Sequence, residues 1–390
     1  MTSAIASLQT VRDLEPLIRK HTASAEAERK MAPEVMAALV DSGTLRMWIP
    51  KAFDGSEMEP NASLDIMEAF ARVDPAAGWV VSNCVFISIM GQFLPPAVVG
   101  EILGNPKAVT CGTFVPPGLA QPRESGYAVT GNWTFGSASH YATSLVVLTL
   151  LANDDGPVFD ASGAPTSIVS FLPPSKVTLL DTWHTLGLRA TGSTNFTADR
   201  LAIPAEHTYF LGPWDPPAGP FSGPLYRMGV IIDAVRIAKV GIGIAAGALD
   251  EFIQLATTKT PAYTATLTAD RSTVQERVAR ANALINAGRD MVRTSVAAAW
   301  DSVQAGPRIT GPGAIPMGLA AAFALDAAVQ AVDLLFESAG STAFRDDSPL
   351  QKRFRDLQTL RQNAITSWSR YEGLGKMILG RQSDWAFHNL

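Results

Sequence analysis

Cysteine is nearly absent from this chain. There are two, Cys84 and Cys111, among 390 residues, and both sit between apolar or small neighbours. That excludes a disulfide framework and points to two buried, reduced thiols in a cytoplasmic protein. Histidine is also scarce, with five residues. No Cys/His cluster has metal-ligating spacing, so no metal site is expected. Charge is low: charged residues make up 17% of the chain and the net charge is −5. No basic surface for nucleic acid follows from that balance. The N-terminal MTSAIASLQTVRDLEPLIRK lacks the long apolar core of a signal peptide. No run is read as approaching the roughly 20 apolar residues of a membrane span, so no membrane partner is expected.

Apolar residues are what the chain has most of, at 47%. With this length they can fill the cores of two or three domains and still leave surface for subunit contacts.

Helical spacing dominates residues 1 to 110. Val11, Leu14, Leu17 and Ile18 recur at that period, as do Val35, Met36, Leu39 and Val40 after Pro33, a first-turn proline. Residues 45–55 read as an ordered loop and residues 64–73 as a helix. Residues 78–93 are nearly all apolar, which predicts a helix buried on most sides. Trp79, Ser82 and Asn83 lie on it. Such polar groups either satisfy local backbone or face a substrate.

From Ala108 the pattern turns to short runs broken by Gly and Pro. Strands are expected over 109–114, 127–135, 144–151, 166–172, 177–180 and 195–203. Residues 111–212 therefore read as a small β domain. The stretch 213–224, PWDPPAGPFSGP, reads as a linker. Residues 225–390 read as four long helices, 231–258, 272–305, 317–339 and 350–379, forming an antiparallel bundle. Gly241, Gly243 and Gly247 on the first of these are explained by close helix packing. The fold class is α+β, mostly α: a helical domain, a small β domain and a four-helix bundle.

One stretch concentrates chemistry, GYAVTGNWTFGSASHYATSLVVLTL over 126–150. It reads as strand, turn at Thr130-Gly131-Asn132, and strand. Trp133, Phe135, Ser137, Ser139, His140 and Tyr141 crowd one strand end, where small residues admit a planar ligand. The plain alternative is a hairpin with a core tryptophan.

Together with the WHTLGLRATGS segment over 183–193, these residues resemble the acyl-CoA dehydrogenase fold superfamily, and within it the flavin-dependent two-component monooxygenases. Further matching segments are GTLRMWIPKAFDG (43–55), TFVPPGLA (113–120), GIGIAAGA (241–248), SPLQKRFRD (348–356) and YEGLGKMILG (371–380). The resemblance runs nearly end to end. It implies a flavin, FMN or FAD, between the β domain and the bundle. It places Thr113, Val115, Trp133, Phe135, Ser137, Arg189, Thr191, Gly192 and Ser193 around that cofactor. Arg271, Lys259 and Arg355 could reach its phosphate, across a subunit contact, unless each is a solvated or structural ion pair, and Arg271 is the one retained. The family's usual homotetramer is implied as well.

The two places where acyl-CoA dehydrogenases carry a glutamate base fall at Val235 and near Ala364, and Glu372 comes too late in the chain. No base of suitable pKa remains there. The monooxygenase branch needs none. In it a separate reductase supplies reduced flavin, which reacts with molecular oxygen to a C4a-hydroperoxide that oxygenates a small aromatic or a heteroatom. Ser137 takes the position near flavin N5, unless it is only a turn hydroxyl. The branch's substrate-deprotonating histidine is Asn363 here, which can orient a substrate but not take its proton. His140 is the substitute the sequence offers, with Trp79, Asn83 and Asn363 as further substrate contacts. His184 is a weaker candidate, and His21, His207 and His388 have no context. Two alternatives remain: a dehydrogenase or oxidase with a non-standard base, and a non-catalytic scaffold.

Overall fold

Ser7 opens the first helix with a reciprocal cap. Its hydroxyl accepts the Thr10 N–H, and the Thr10 hydroxyl accepts the Ser7 N–H. The computed structural model describes residues 5–161, 163–212, 219–383 and 385. Its N-terminal helices are α1 (Leu8–Glu28), α2 (Pro33–Asp41), α3 (Pro60–Val73), α4 (Pro75–Ser88) and α5 (Pro96–Leu103). All but α1 begin on proline, whose missing N–H is no loss in a first turn. Asp74 caps α4 by accepting the Ala76 and Ala77 N–H groups at 2.9 and 3.0 Å.

As its composition predicts, α4 is buried on nearly every face. The expectation about apolar length needs correction, however. Among the described residues two stretches, Pro75–Phe93 and Gly311–Thr342, are long and apolar enough to cross a bilayer by length and composition alone. Here 89% and 61% of their most apolar windows are buried inside the protein, as in core helices.

Eight strands follow: β1 (Thr110–Arg123), β2 (Gly126–Gly136), β3 (Ser144–Asn153), β4 (Gly156–Pro157), β5 (Ser167–Leu172), β6 (Thr178–Leu180), β7 (Thr194–Pro204) and β8 (Thr208–Leu211). They form one sheet in the order β6-β7-β2-β1-β3-β5-β8, with β4 on β3. Along that path only β1 and β3 run parallel.

Two irregularities shape the sheet. Thr130-Gly131-Asn132 is not a turn but lies inside β2. A bulge on β7 absorbs the irregularity, with Arg200 at φ 45° and its N–H on Thr130 Oγ1. On β1, Thr113 pairs with Val147 and Gly118 with Thr149, so the residues between leave the ladder. Pro116 and Pro117 have no N–H to give it.

The bundle comprises α6 (Ile232–Thr258), α7 (Ser272–Val303), α8 (Ile315–Ala339), α9 (Pro349–Leu360) and α10 (Arg370–Ile378). The expected single fourth helix is thus two. Asn363 makes the break. Its Oδ1 accepts the Ile365 N–H at 2.9 Å, and its carbonyl accepts the Thr366 and Ser367 N–H groups. Close packing at the α6 glycines is as expected: a Cβ on Gly243 would stand 2.3 Å from the Glu68 carbonyl oxygen of α3. Beside it the buried Lys239 ammonium pairs with Asp65 and Glu68, and Glu68 also holds Arg289 of α7 at 2.7 Å. Of the proline-rich stretch, residues 213–218 lie outside the described residues; Gly219–Phe221 and Pro224–Arg227 form short 3-10 turns.

Candidate active site

A cavity of about 1030 Å³ lies between the sheet and the bundle. This is the upper end of the usual ligand-pocket range of roughly 300–1,000 Å³, enough for a planar ring system and a second small molecule.

One wall comes from the irregular ends of β1 and β2. The segment cast out of β1 brings Thr113, Phe114 and Val115 to the cavity. On β2, Phe135 has φ +63°, a conformation bulky side chains rarely adopt. In a regular strand Trp133 and Phe135 would share a face. The left-handed residue and the register shift between Trp133 and Gly136 break that relation. Trp133 goes into the core, fully buried, with its indole N–H on the Leu148 carbonyl at 3.0 Å and its ring stacked on Phe196. Phe135 is 57% exposed and lines the cavity, with Trp183 edge-on to it at 6.3 Å. Trp133 is therefore a core residue and not the cofactor contact expected.

Trp79, Asn83 and Phe86 of α4 form the opposite side with Asp233 and Arg236 of α6. The Arg236 guanidinium lies over the Phe86 and Trp79 rings, 4.8 and 5.5 Å from their centroids. It pairs with Asp233 and donates to Ser82 Oγ at 3.3 Å. Burial lowers the arginine's pKa and raises the aspartate's, and each partner opposes the other's shift. Asn83 Nδ2 and Arg236 Nε are buried donors without a protein partner. They suit the acceptor atoms of a bound molecule, such as the carbonyl-bearing edge of a flavin ring.

Ser137 connects the two sides. Its Oγ accepts the Trp79 Nε1–H at 2.9 Å and lies 2.6 Å from Ser193 Oγ. Ser193 Oγ lies 2.6 Å from Thr191 Oγ1, which donates to the Leu188 carbonyl at 2.8 Å. Leu188 is fixed in turn by the bundle, because its N–H donates to Asp356 at 2.6 Å and Lys352 lies 2.7 Å from that carboxylate.

Among the described residues lining the cavity, Asp233, Arg236 and Asp333 are the ionisable ones, and no histidine is present. Burial raises the Asp333 carboxyl above its usual pKa, with Arg361 opposing the shift and Glu337 adding to it. Gln358 Nε2 donates to Asp333 at 3.3 Å. Asn363 lines the same cavity, but its Oδ1 already accepts the Ile365 N–H.

The structure thus brings together Trp79, Asn83, Thr113, Val115, Phe135, Ser137, Thr191, Ser193 and Asn363. It does not bring His140. That residue sits in the turn Ser139–Tyr141, which the Tyr141 hydroxyl ties to the Met31 carbonyl, and its ring is exposed beside Gly192 and Lys30. Desolvation first and the Lys30 charge second lower its pKa. Gly192, at φ 56°, turns the loop outside the cavity. Arg189 is exposed, with Nε on the Thr185 carbonyl at 2.9 Å. Arg271 is exposed at the start of α7, away from this chain's cavity. His184 faces Arg29 and Asp181 outside it, and His388 lies outside the described residues. The sequence reading did not place Phe86, Trp183, Asp233, Arg236 or Asp333 at the site. For Asp233 and Arg236 the signal was charge inside the otherwise apolar start of α6; Phe86, Trp183 and Asp333 gave none.

Residues 6–93 match the family described as acyl-CoA dehydrogenase, N-terminal domain, and residues 235–368 match acyl-CoA dehydrogenase, C-terminal domain. The chain is 28% identical to the indole-3-acetate monooxygenase of Pseudomonas putida, over 97% of this chain and 93% of that protein. It is 25% identical to the FADH(2)-dependent resorcinol hydroxylase, oxygenase component, of a Rhizobium species, over 94% and 91%. Its fold is similar to that of 3-HSA hydroxylase from Rhodococcus sp. RHA1, with a TM-score of 0.89 and 23% identity, covering 97% of this chain and 98% of that one. XiaF from Streptomyces sp., in complex with FADH2 and glycerol, is similar at a TM-score of 0.87 and 23% identity over 97% and 96%.

Proposed function

The chain belongs to the acyl-CoA dehydrogenase family, and from that premise we propose that it is the oxygenase component of a two-component, reduced-flavin-dependent monooxygenase acting on a small aromatic substrate. One observation carries this reading. The hydroxyl expected to face the flavin, Ser137, is kept and built into a hydrogen-bonded chain. Both places for a dehydrogenase base are apolar: Val235, fully buried, and Ala364, on the cavity wall. No group there can abstract a substrate proton. The near full-length similarity to proteins named as monooxygenases supports the same reading.

The residues present fit a flavin head. Phe135 and the Thr113–Val115 segment would hold its ring, Ser137 would meet its N5 edge, and Asn83 and Arg236 offer unpaired donors. When bound in its reduced form, FMN or FAD supplies the activation of molecular oxygen. The chain's own part is to bind, to orient and to keep the site dry. Trp79, Phe86, Phe135 and Trp183 supply apolar walls. Asn363 offers a substrate hydrogen bonds only, from its amide N–H groups and the lone pair left on an oxygen that accepts the Ile365 N–H, and a neutral amide takes no proton. It therefore orients and does not deprotonate.

The same reading includes a separate reductase that delivers flavin by diffusion, and a cytoplasmic location, in keeping with the free, buried Cys84 and Cys111. It also includes a homotetramer. The partly uncovered apolar helix α8 and the exposed Phe323 on it support subunit packing there. Arg271 would then serve the flavin phosphate of a neighbouring subunit.

The test supplies reduced FMN or FAD from an unrelated reductase, heavy-isotope oxygen gas and a panel of small phenols and indoles. The expected result is one heavy oxygen atom in the product. Bleaching of bound oxidised flavin by an acyl-CoA, without reductase, would instead favour a dehydrogenase or oxidase, for which Asp333 is the available carboxylate.

A further inference from the structure

The hydroxyl chain at Ser137 has one direction. Each hydroxyl has one proton to give and two lone pairs to receive. Thr191 Oγ1 lies 2.8 Å from the Leu188 carbonyl oxygen and 2.6 Å from Ser193 Oγ. The carbonyl has no proton, so the Thr191 proton must lie on the Leu188 contact. The opposite arrangement would leave two oxygens 2.8 Å apart with nothing between their lone pairs. Ser193 must then donate to Thr191. Ser137, 2.6 Å from Ser193, must donate to Ser193. One Ser137 lone pair already receives the Trp79 Nε1–H at 2.9 Å, so what Ser137 has left for the cavity is a lone pair and no proton.

The chain is anchored at its far end. Leu188 N–H is held by the buried Asp356, and Trp183 Nε1 donates to the same Leu188 carbonyl at 3.0 Å. Ser137, Ser193 and Thr191 are all at most 3% exposed, so bulk water does not compete for their protons.

We propose that Thr191 and Ser193 are positioning residues that hold Ser137 as a hydrogen-bond acceptor, so that the site selects the reduced, N5-protonated flavin over the oxidised one. The inference rests on the flavin-site reading above. Reduced flavin carries a proton on N5 and meets the Ser137 lone pair with a hydrogen bond. Oxidised flavin has a lone pair on N5 and meets it with repulsion, in a buried site where such a mismatch is not relieved by solvent. A preference of about tenfold or more follows.

The test is a pair of dissociation constants, measured anaerobically by equilibrium dialysis for reduced and for oxidised FMN and FAD. The proteins are the wild type, Thr191→Val, Ser193→Ala and Thr191→Ser, each checked for folding by circular dichroism. The wild type is expected to bind the reduced form at least about tenfold more tightly. In Ser193→Ala the Ser137 proton loses its acceptor and can turn to N5. In Thr191→Val, Ser193 can reverse and free it in the same way. Both ratios should collapse toward one, and Thr191→Ser should keep the wild-type ratio. A general structural loss would weaken both constants in parallel and leave the ratio alone, which would overturn the inference. So would a wild-type ratio at or below one. If the wild type bound neither form, the flavin-site reading itself would fall, and this inference with it.

Discussion

Asn363 and Asp333 are polar groups on the cavity wall that a substrate proton would meet. Asn363 stands on the wall, but a neutral amide takes no proton, and its oxygen already accepts the Ile365 N–H. Asp333 lines the same cavity with a carboxyl that burial raises above its usual pKa, partly offset by Arg361. A raised carboxyl accepts a proton only above that raised value. For a phenolic substrate, kcat/KM is therefore expected to climb with pH through the Asp333 titration. Asp333→Asn should flatten the climb and lower the rate by about 10²–10⁴-fold, the usual worth of a general base. The double variant Asp333→Asn with Asn363→His should regain a pH-dependent step near the imidazole range. An unchanged pH profile in Asp333→Asn would exclude this carboxylate as the acceptor.

Among the elements, the junction of α4, α9 and the Leu188 loop holds the cavity together. Asp74 caps α4 and lies 3.3 Å from Lys352. Lys352 also pairs with Asp356, which holds Leu188. Burial pushes the Asp74 carboxyl up, but Lys352, the Ala77 N–H and Arg353 outweigh it, and the net pKa lies below the usual value. A depressed carboxyl contributes stability that is present above the unfolded pKa of about 3.9 and lost as pH falls through the folded one. Asp74→Asn keeps a capping oxygen but leaves the buried Lys352 with Asp356 as its one remaining carboxylate contact. It should lower stability by about 1–3 kcal/mol at pH 7, read as a shift in the urea midpoint, with a much smaller difference from wild type in acid, once pH has fallen through the depressed Asp74 pKa. An equal deficit at both pH values would contradict the charge argument.

Element by element, the legible parts were those where one physical rule decides. The mostly apolar α4 had to be buried, and the glycines of α6 had to lie against a neighbouring element. What composition missed was local competition. At β2 the strand pattern of Trp133 and Phe135 gave no sign that Phe135 takes φ +63° and turns to the other face. The break between α9 and α10 depends on the Asn363 side chain outcompeting a helical hydrogen bond, in a stretch whose apolar period runs on. His140 was placed near the ligand by chain proximity to Ser137, and the left-handed Ala138 at φ 60° swings it outward. Asp333 and Phe354 reach the cavity from helices far along the chain, which spacing alone cannot show.

At the scale of the whole molecule, the site belongs to no single layer. α4, the ends of β1 and β2, the Leu188 loop and three bundle helices each supply part of the wall. Bundle and sheet must therefore be docked before the site exists. The proposed homotetramer adds Arg271 of a neighbour to that requirement. Light scattering should give about four chains per particle if the family's usual assembly is kept, and Arg271→Ala should weaken flavin binding without unfolding the chain.

Reduced flavin bound in this cavity is expected to be protected while oxygen is activated there. This protection is tested most directly by loading the protein anaerobically with reduced flavin, mixing it rapidly with oxygenated buffer and following absorbance. A transient species is expected, distinct from both reduced and oxidised flavin, that outlasts the reoxidation of free flavin and is short-lived in Ser137→Ala. A direct, single-phase return to oxidised flavin in the wild type would contradict it.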